Sequence, residues 1–246
     1  MSAIEPAGEP NGPGAVAEAL AHGELTVHGR IAGSSNATLL VTCVLDGSEL
    51  LAVYKPERGE RRLWDFPGGL WRREVAAYEL GVQLGWCCVP ETVVRREGPF
   101  GLGSIQRYVP EDGTSHYFTL RDEDRWEREL VAICAFDVVA NNADRKSGHV
   151  LLAEDRLFAI DNGLCFHVEP KLRTVIWDFA SQRLPERLHD DLVSLKTEGP
   201  SGALAELLDD DELEALTERA EALREAAELP IPDESGDWPP YPWPLV

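Results

Sequence analysis

The stretch NNADRKSGHVLLAEDRLFAIDNG, residues 141–163, places two short apolar runs between two polar clusters. The runs HVLL and LFAI have the length and composition of β-strands, so the stretch predicts a β-hairpin. Asp144 precedes the hairpin and Asp161 follows it. Carboxylates that lie close together repel each other unless a cation or a proton neutralises them. The two aspartates are therefore either turn residues or part of a metal-binding site.

The size and composition of the chain predict one large domain or two lobes sharing a cleft. Of the 246 residues, 43% are hydrophobic, and a chain of this length buries roughly 70–75% of the surface that its unfolded form exposes. No apolar run approaches the ~20 residues that cross a bilayer. The start, MSAIEPAGEPNGPG, lacks the basic and apolar regions of a signal peptide. We therefore expect no transmembrane segment and a cytoplasmic location.

Charge and cysteine content narrow the classes of partner. The net charge of −21 makes nucleic acid and anionic membranes poor partners. One stretch, KPERGERRLWDFPGGLWRR at residues 55–73, is locally basic, and it is either a solvated loop or a phosphate-facing patch. The odd number of cysteines and the absence of a CxxC pair predict buried free thiols in a reducing compartment rather than a zinc site. These cysteines are Cys43, Cys87, Cys88, Cys134 and Cys165.

The order of predicted elements is β-rich first and helical later, which gives an α+β fold class. Three β-rich pieces separated by AGSSN and DGS predict an antiparallel meander over Glu24–Val53. A helix at Trp71–Leu84 and two more strands, in CCVPETVVRR and GLGSIQRYV, follow it. Helical periodicity then predicts helices over Asp122–Val139 and Leu204–Glu228. The resulting segments are a disordered segment (1–20), a β-rich N-terminal lobe with one helix (21–112), a mainly helical C-terminal lobe (113–230) and a Pro/Trp-rich tail (231–246), the last either floppy or packed on the body as an aromatic strap.

Three features of the N-terminal half suit a phosphate-binding site. The small residues Gly33, Ser34 and Ser35 stand in a turn between strands, where backbone N–H groups can approach phosphate. Lys55 ends an apolar strand, and it is either an edge lysine or a partner of an anion. Glu74 lies in the first turn of the next helix, where it could pair with Lys55 or satisfy the helix dipole.

Two further features follow in the order that a phosphoryl-transfer site needs. The strand SIQRYV leads into the connector PEDG, and its backbone could present an N–H and a C=O to a purine. In the hairpin, Asp144 could orient or deprotonate an attacking hydroxyl, and Asp161 could hold Mg²⁺ on the phosphates.

Together these motifs resemble the phosphatidylinositol 3-/4-kinase-like branch of the protein-kinase superfamily, and most of all the type II phosphatidylinositol 4-kinases. The chain also resembles actinobacterial proteins of this fold. The matching segments over residues 25–190 are GSSNATLLV, LAVYKP, REVAAYELGVQLG, GSIQRYV, DVVANNADR and AIDNGLCF. The resemblance implies a two-lobed protein-kinase-like fold that binds ATP with Mg²⁺ or Mn²⁺. It assigns nucleotide binding to Ser34, Ser35, Lys55, Glu74, Gln106, Tyr108 and Val109, catalysis to Asn142, Asp144 and Arg145, and metal binding to Asp161 and His149.

Two departures from the family pattern shape the expected chemistry. His149 stands where the family carries an asparagine that holds the second metal, so the site should favour Mn²⁺ or use a single Mg²⁺. The segment after Asp161 has few basic residues, which places a protein or soluble acceptor ahead of a phosphoinositide. The alternatives are a pseudokinase scaffold that acts through partner docking and a fold that transfers AMP. A P-loop NTPase is excluded because the sequence has no GxxxxGK[ST].

Overall fold

The computed structural model describes residue 10 and residues 14–34, 36–111, 113–235 and 239–246. The chain forms two compact units. The N-terminal unit comprises Met1–Val75 and Pro90–Tyr108, and the C-terminal unit comprises Ala76–Val89 and Val109–Val246. The predicted lobe boundary at residue 112 thus lies four residues beyond Tyr108, where the chain passes from the N-terminal to the C-terminal unit for the last time. The assignment of Ala76–Val89 to the C-terminal unit was not predicted.

A five-stranded antiparallel sheet is the centre of the N-terminal unit. The elements of this unit in chain order are α1 (Ala15–His22), β1 (Glu24–Arg30), β2 (Leu39–Leu45), β3 (Ser48–Pro56), α2 (Leu70–Gln83, which continues into the C-terminal unit), β4 (Thr92–Arg95) and β5 (Gly103–Arg107), with a short 3₁₀ turn at Glu57–Gly59. The strand order in the sheet is β1-β2-β3-β5-β4, and every neighbouring pair is antiparallel, so the predicted meander is confirmed.

Helix α1 covers one face of this sheet and corrects the prediction of disorder over residues 15–20. Leu50, Ala52 and Tyr54 alternate along β3 and are buried, as the two-residue period of a strand requires. They share a core with Ala19 and Leu20 of α1. The helix forms because burying its apolar side chains against the sheet outweighs the Gly- and Pro-rich composition around it. Residues 1–9 and 11–13 of the predicted disordered segment lie outside the described residues.

The C-terminal unit is mainly helical and contains the predicted hairpin, which is confirmed as an antiparallel pair. Its elements after the shared helix α2 are α3 (Tyr117–Leu120), α4 (Glu127–Ala140), β6 (Val150–Ala153), β7 (Arg156–Ala159), α5 (Glu186–Glu198), α6 (Gly202–Leu207) and α7 (Asp210–Ala226), with 3₁₀ turns at Asp124–Trp126 and Ser147–His149. No helix among the described parts of the chain is long and apolar enough to cross a membrane.

Two helix predictions need correction in this unit. The helix predicted from Asp122 begins as a 3₁₀ turn, and regular α-helix starts at Glu127. The single helix predicted from Leu204 is two helices, because Asp209 caps a new one: its backbone N–H donates to Glu212 Oε2 at 3.0 Å and its side chain accepts from the Glu212 N–H. This reciprocal capping box is a strong start signal.

The C-terminal residues 239–246 pack on the body of the unit as a strap. The Pro240 carbonyl accepts hydrogen bonds from the Thr174 N–H and the Trp177 Nε1–H, both at 3.1 Å. The Leu245 carbonyl accepts from the Ser147 N–H at 2.8 Å. Proline lacks an N–H but keeps its carbonyl, so a proline-rich segment can still accept hydrogen bonds. The floppy alternative is therefore wrong for residues 239–246, while residues 236–238 lie outside the described chain.

All five cysteines are free thiols, and four of them are buried. Burial raises the pKa of Cys43 to about 11 and that of Cys88 to about 12, which keeps these thiols protonated and unreactive. Cys87 is exposed, so the prediction of burial is wrong at this position.

Candidate active site

In the N-terminal unit, Lys55 and Glu74 form an ion pair. Lys55 Nζ donates a hydrogen bond to Glu74 Oε1, and the two side chains are only 18% and 4% exposed. Glu74 is held in place because the carboxylate of Glu60 accepts the backbone N–H groups of Gly69 and Trp71 at 3.0 and 2.7 Å, which fixes the start of α2. The predicted pairing is present, and it fixes the amine of Lys55 next to the last residue of β3.

The turn predicted to approach phosphate is tied by its own side chains. Ser34 Oγ lies 2.6 Å from Thr38 Oγ1, and Arg30 Nη2 donates to the Ser34 carbonyl at 3.2 Å. Gly33 has a φ of 82°, in the left-handed region that glycine adopts without strain. Ser35, the second predicted serine, lies outside the described residues. The turn is ordered around Ser34, whose role toward a nucleotide stays a prediction.

The predicted connector residues have different environments. Gln106 is 7% exposed and its Nε2 donates to Thr92 Oγ1 at 2.8 Å, so this side chain joins β4 to β5. The Tyr108 N–H donates to the Leu51 carbonyl at 2.9 Å. Val109 is 4% exposed and packs in the apolar cluster of the hairpin. The geometry thus gives Gln106 a structural role, and adenine contacts by Tyr108 and Val109 stay predictions.

In the C-terminal unit, Asn142 positions Asp144. Asn142 is fully buried, and its Oδ1 accepts the Asp144 N–H at 2.9 Å while its Nδ2 donates to Asp137 Oδ1 at 3.1 Å. Lys146 Nζ donates to Asp144 Oδ2 at 2.8 Å. Burial raises the pKa of Asp144, the hydrogen bond and charge of Lys146 lower it, and the negative charge of Asp161 raises it further. The two aspartates that flank the hairpin therefore influence each other, and the net effect makes Asp144 a stronger base.

Arg145, predicted to be catalytic, is instead enclosed by protein. Both Arg145 and Asp137 are fully buried. Arg145 donates to the Asp137 carboxylate at 2.9–3.1 Å, to the Ile160 carbonyl at 2.7 Å and to Asn162 Oδ1 at 2.7 Å. One guanidinium thus joins α4, the segment around Asp144 and the segment around Asp161. This geometry makes Arg145 and Asn142 positioning residues rather than groups that touch a substrate.

Asp137 is the member of this network that sequence reasoning missed. It lies in the run AICAFDVVA, where a charged residue interrupts an otherwise apolar helix. A buried charge needs a partner of opposite charge, and Arg145 eight residues later was the available one. Burial raises the pKa of Asp137, and the hydrogen bonds from Arg145, Asn142 and Thr174 act against that shift.

His149 and Asp161 form the part of the site that could hold a metal ion. His149 Nδ1 lies 3.0 Å from the Asp144 carbonyl, and its Nε2 lies 3.4 Å from Asp161 Oδ2. The Lys146 N–H also lies 3.5 Å from Nδ1. With the proton on Nδ1 the ring donates to the Asp144 carbonyl, and with the proton on Nε2 it accepts from the Lys146 N–H and donates to Asp161. In the first tautomer the Nε2 lone pair and the Asp161 carboxylate are both available to a cation.

The backbone and exposure of Asp161 also suit a ligand. Asp161 has a φ of 57°, a conformation that is uncommon for residues other than glycine and that concentrates at functional sites. Its side chain is 51% exposed. Among the described residues, no group of three or more His, Cys, Asp and Glu side chains could hold a metal. Mg²⁺ in phosphate-transferring sites needs only one or two carboxylates, because phosphates and water supply the other ligands. Asp161 is one such carboxylate, and the nitrogen of His149 suits Mn²⁺ better than Mg²⁺.

Comparison with solved structures identifies the class of fold. The hydra Fam20 structure with sugar is 15% identical to this chain, has a TM-score of 0.55 and covers 87% of both chains. The Golgi casein kinase with Mn/ADP bound is 14% identical, has a TM-score of 0.57 and covers 92% of this chain and 78% of its own. The antiparallel sheet of the N-terminal unit and the helical C-terminal unit define a protein-kinase-like fold, as the sequence predicted.

Comparison of sequences identifies the family. Protein Rv2133c of Mycobacterium tuberculosis (strain ATCC 25618 / H37Rv) is 38% identical over an alignment 264 residues long, which covers 92% of this chain and 93% of that protein. The chain belongs to the same family as Protein Rv2133c. No family model matches the chain.

Proposed function

We propose that this protein is an ATP-dependent phosphotransferase of the phosphatidylinositol 3-/4-kinase-like type. The observation that carries the proposal is the ion pair between Lys55 and Glu74 in a protein-kinase-like fold. In kinases a strand lysine must be paired with a helix glutamate before it can bind the phosphates of ATP. A buried carboxylate needs a cation in any fold, so the support lies in the position of the pair, which joins the lysine of β3 to the glutamate of the following helix as in kinases.

The residues of the C-terminal unit supply the other roles. Asp144, whose pKa is raised by burial, accepts the proton of the acceptor hydroxyl or orients that hydroxyl for attack. Asp161 with His149 would hold a divalent ion, which neutralises charge on the phosphates when bound. Arg145 and Asn142 keep these groups in place. The neighbouring Golgi casein kinase was obtained with Mn/ADP, which supports the choice of nucleotide and of Mn²⁺ as a metal to test.

The charge of the chain supports a protein or soluble acceptor over a phosphoinositide. A net charge of −21 disfavours approach to an anionic bilayer. The buried free thiols suit a reducing, cytoplasmic environment.

Labelled ATP separates this function from its alternatives. The protein is incubated with α-labelled or γ-labelled ATP, in Mg²⁺ or Mn²⁺, with itself and with a casein mixture as acceptors. Transfer of γ-label alone supports the proposal, and transfer of α-label shows AMP transfer instead. No transfer with intact nucleotide binding favours the scaffold alternative, to which the histidine at position 149 also points.

A matched variant ties the activity to the site. Asp144→Asn should lose γ-label transfer while keeping nucleotide binding, because the base is lost and the phosphate and metal groups remain. Asp155→Asn is the control, since Asp155 is an exposed aspartate in the turn of the same hairpin. Equal activity of the two variants would contradict the role of Asp144.

A further inference from the structure

Basic charge is concentrated in one short part of this acidic protein. Residues 55–73 contain six basic and three acidic residues, a net charge of +3, so the remainder of the chain carries −24 of the total of −21. We call residues 58–64, RGERRLW, the basic loop. It connects β3 to α2 in the N-terminal unit.

The structure separates the basic residues that have internal roles from those that face solvent. Lys55 is bonded to Glu74, and Arg73 is 1% exposed. Arg58, Arg61 and Arg62 are exposed. Within the described part of the chain none of these three takes part in an ion pair. Three guanidinium groups are therefore presented to solvent.

The backbone of the basic loop is anchored. The Gly59 carbonyl accepts the Ala37 N–H at 3.0 Å, and the Arg61 N–H donates to Asn36 Oδ1 at 2.8 Å. The acidic residue within the loop, Glu60, directs its carboxylate to the start of α2. The negative charge of Glu60 is thus engaged by the backbone N–H groups at the start of α2. The exposed arginines project from a fixed backbone, which lowers the entropy lost when they bind a partner.

Exposed apolar side chains complete this surface. Trp64 is 81% exposed and Leu63 is 36% exposed. Arginine and tryptophan are the residue types that contribute most to protein–protein binding energy, and guanidinium groups pair with carboxylates in a bidentate geometry. We propose that the basic loop docks an acidic segment of a protein acceptor. This inference rests on the proposed function and adds the class of acceptor to it.

Charge complementarity favours an acidic peptide segment over an anionic membrane. A bilayer is an extended surface that is also repelled by the rest of the chain, whose net charge is −24. A short peptide segment interacts mainly with charges within the Debye length of ~8 Å. A second copy of this chain is also acidic, and its self-association is one outcome that the experiment must detect.

The test compares two variants of equal charge. Arg61→Ser/Arg62→Ser removes two guanidinium groups from the basic loop, and Arg96→Ser/Arg128→Ser removes two from exposed positions elsewhere. The probes are three fluorescein-labelled peptides with one serine each, in a glutamate-rich, a neutral and a lysine-rich context. Binding is measured by fluorescence anisotropy without nucleotide, and γ-label transfer to the same peptides is measured separately. Vesicles containing phosphatidylserine serve as the membrane probe.

We expect the native chain to bind the glutamate-rich peptide most tightly. The loop variant should bind it roughly 3- to 10-fold more weakly, as the loss of two exposed ion pairs predicts, and the control variant should not. Binding should also weaken between about 0.15 M and about 1 M salt. In the transfer assay the loop variant should raise KM for this peptide and leave kcat unchanged.

Four outcomes would overturn the docking surface. Peptide binding could weaken equally in both variants, the native chain could show no preference among the peptides, or it could bind vesicles instead of peptide. The fourth outcome is self-association of the native chain, seen as a molecular mass that rises with concentration and that only the loop variant abolishes. Peptide binding without any transfer of γ-label would refute the proposed function and still support the docking surface. The two proposals can therefore fail separately.

Discussion

Arg145→Leu should destabilise the protein strongly, because it breaks the buried ion pair with Asp137. Arg145 is fully buried; its Nε–H and Nη2 donate to the Asp137 carboxylate, Nη1 to the Ile160 carbonyl and Nη2 to Asn162 Oδ1. Removing one partner of a buried pair costs about 3–5 kcal/mol. Unsatisfied buried acceptors cost about 1–3 kcal/mol each, and these costs overlap. We expect a loss of about 5 kcal/mol, a large share of the roughly 5–15 kcal/mol that stabilises a folded domain.

The double variant Asp137→Leu/Arg145→Leu should recover much of this loss. Replacing both members of a buried ion pair by apolar residues is often close to neutral. Asn162 and the Ile160 carbonyl would still lack their donor, so we expect a residual loss of about 2 kcal/mol. Despite the recovered stability, the double variant should not recover γ-label transfer, because the segments around Asp144 and Asp161 are no longer joined.

The stability deficit of Arg145→Leu, that is, its loss of unfolding free energy relative to the native chain, should also depend on pH. Burial raises the pKa of Asp137 in the folded protein, and Arg145 opposes that shift, so its removal raises the pKa further. The folded variant then binds a proton at a pH where the unfolded chain, with an ordinary carboxyl pKa near ~4, does not. Stability is therefore lost as the pH rises through this interval and regained as it falls, and the deficit should be smaller at about pH 5 than at about pH 8.

Urea unfolding followed by far-ultraviolet circular dichroism measures these differences. With a slope of about 2.5 kcal/mol per M, the midpoint of Arg145→Leu should fall by about 2 M. Arg128→Leu, at an exposed position on the same helix as Asp137, is the control and should change stability by less than about 0.5 kcal/mol. A loss below about 1 kcal/mol for Arg145→Leu, or a deficit independent of pH, would refute the reasoning.

Three further predictions concern nucleotide, metal and strap. ATP with Mn²⁺ at about a hundred times its Kd should add about 2.7 kcal/mol of stability and raise Tm by roughly 5–10 °C. Lys55→Ala or Asp161→Asn should remove most of this shift, and an unchanged Tm in the native chain would contradict nucleotide binding. His149→Asn should raise turnover in Mg²⁺ and narrow any advantage of Mn²⁺, because it replaces a nitrogen by an oxygen ligand; equal metal preference in both proteins would show that His149 is not a ligand. Deleting residues 245–246 should lower the free energy of unfolding by about 1–3 kcal/mol, because the buried Ser147 N–H loses its acceptor. Hydrogen exchange at the Ser147 amide should then accelerate, and unchanged exchange would show that the Leu245 carbonyl does not protect this amide.

The regular elements could be predicted because their signals are local. The alternation of buried residues in β3 and the apolar runs of the hairpin follow from the two-residue period of a strand. The prediction of disorder missed helix α1 because it extended the Gly- and Pro-rich composition of residues 1–14 over AVAEALAH, whose four alanines favour a helix. The break between α6 and α7 was missed because the helical periodicity continues across Asp209, although DDDE at residues 209–212 carries the capping-box pattern.

The candidate site was predictable where a residue type has few structural uses. The lysine at the end of an apolar strand and the glutamate in the next helix predicted an ion pair, and the structure contains it. The role of Arg145 was predicted less well, because the sequence shows that the residue is present but not that Asp137 encloses it. The same limit applies to Gln106, whose pairing with Thr92 depends on the register between β4 and β5.

The burial of Arg145 and Asp137 changes what an intact motif can reveal about evolution. A relative that had lost phosphotransfer would remain under selection to keep both residues, because losing one of them would remove about 5 kcal/mol of stability. Asp161 is different: half of its side chain is exposed, and its φ of 57° would be less strained in glycine or asparagine. Under the proposed function, Asp161 should therefore be among the first positions to drift in an inactive lineage, and its identity would separate active from inactive members better than that of Arg145.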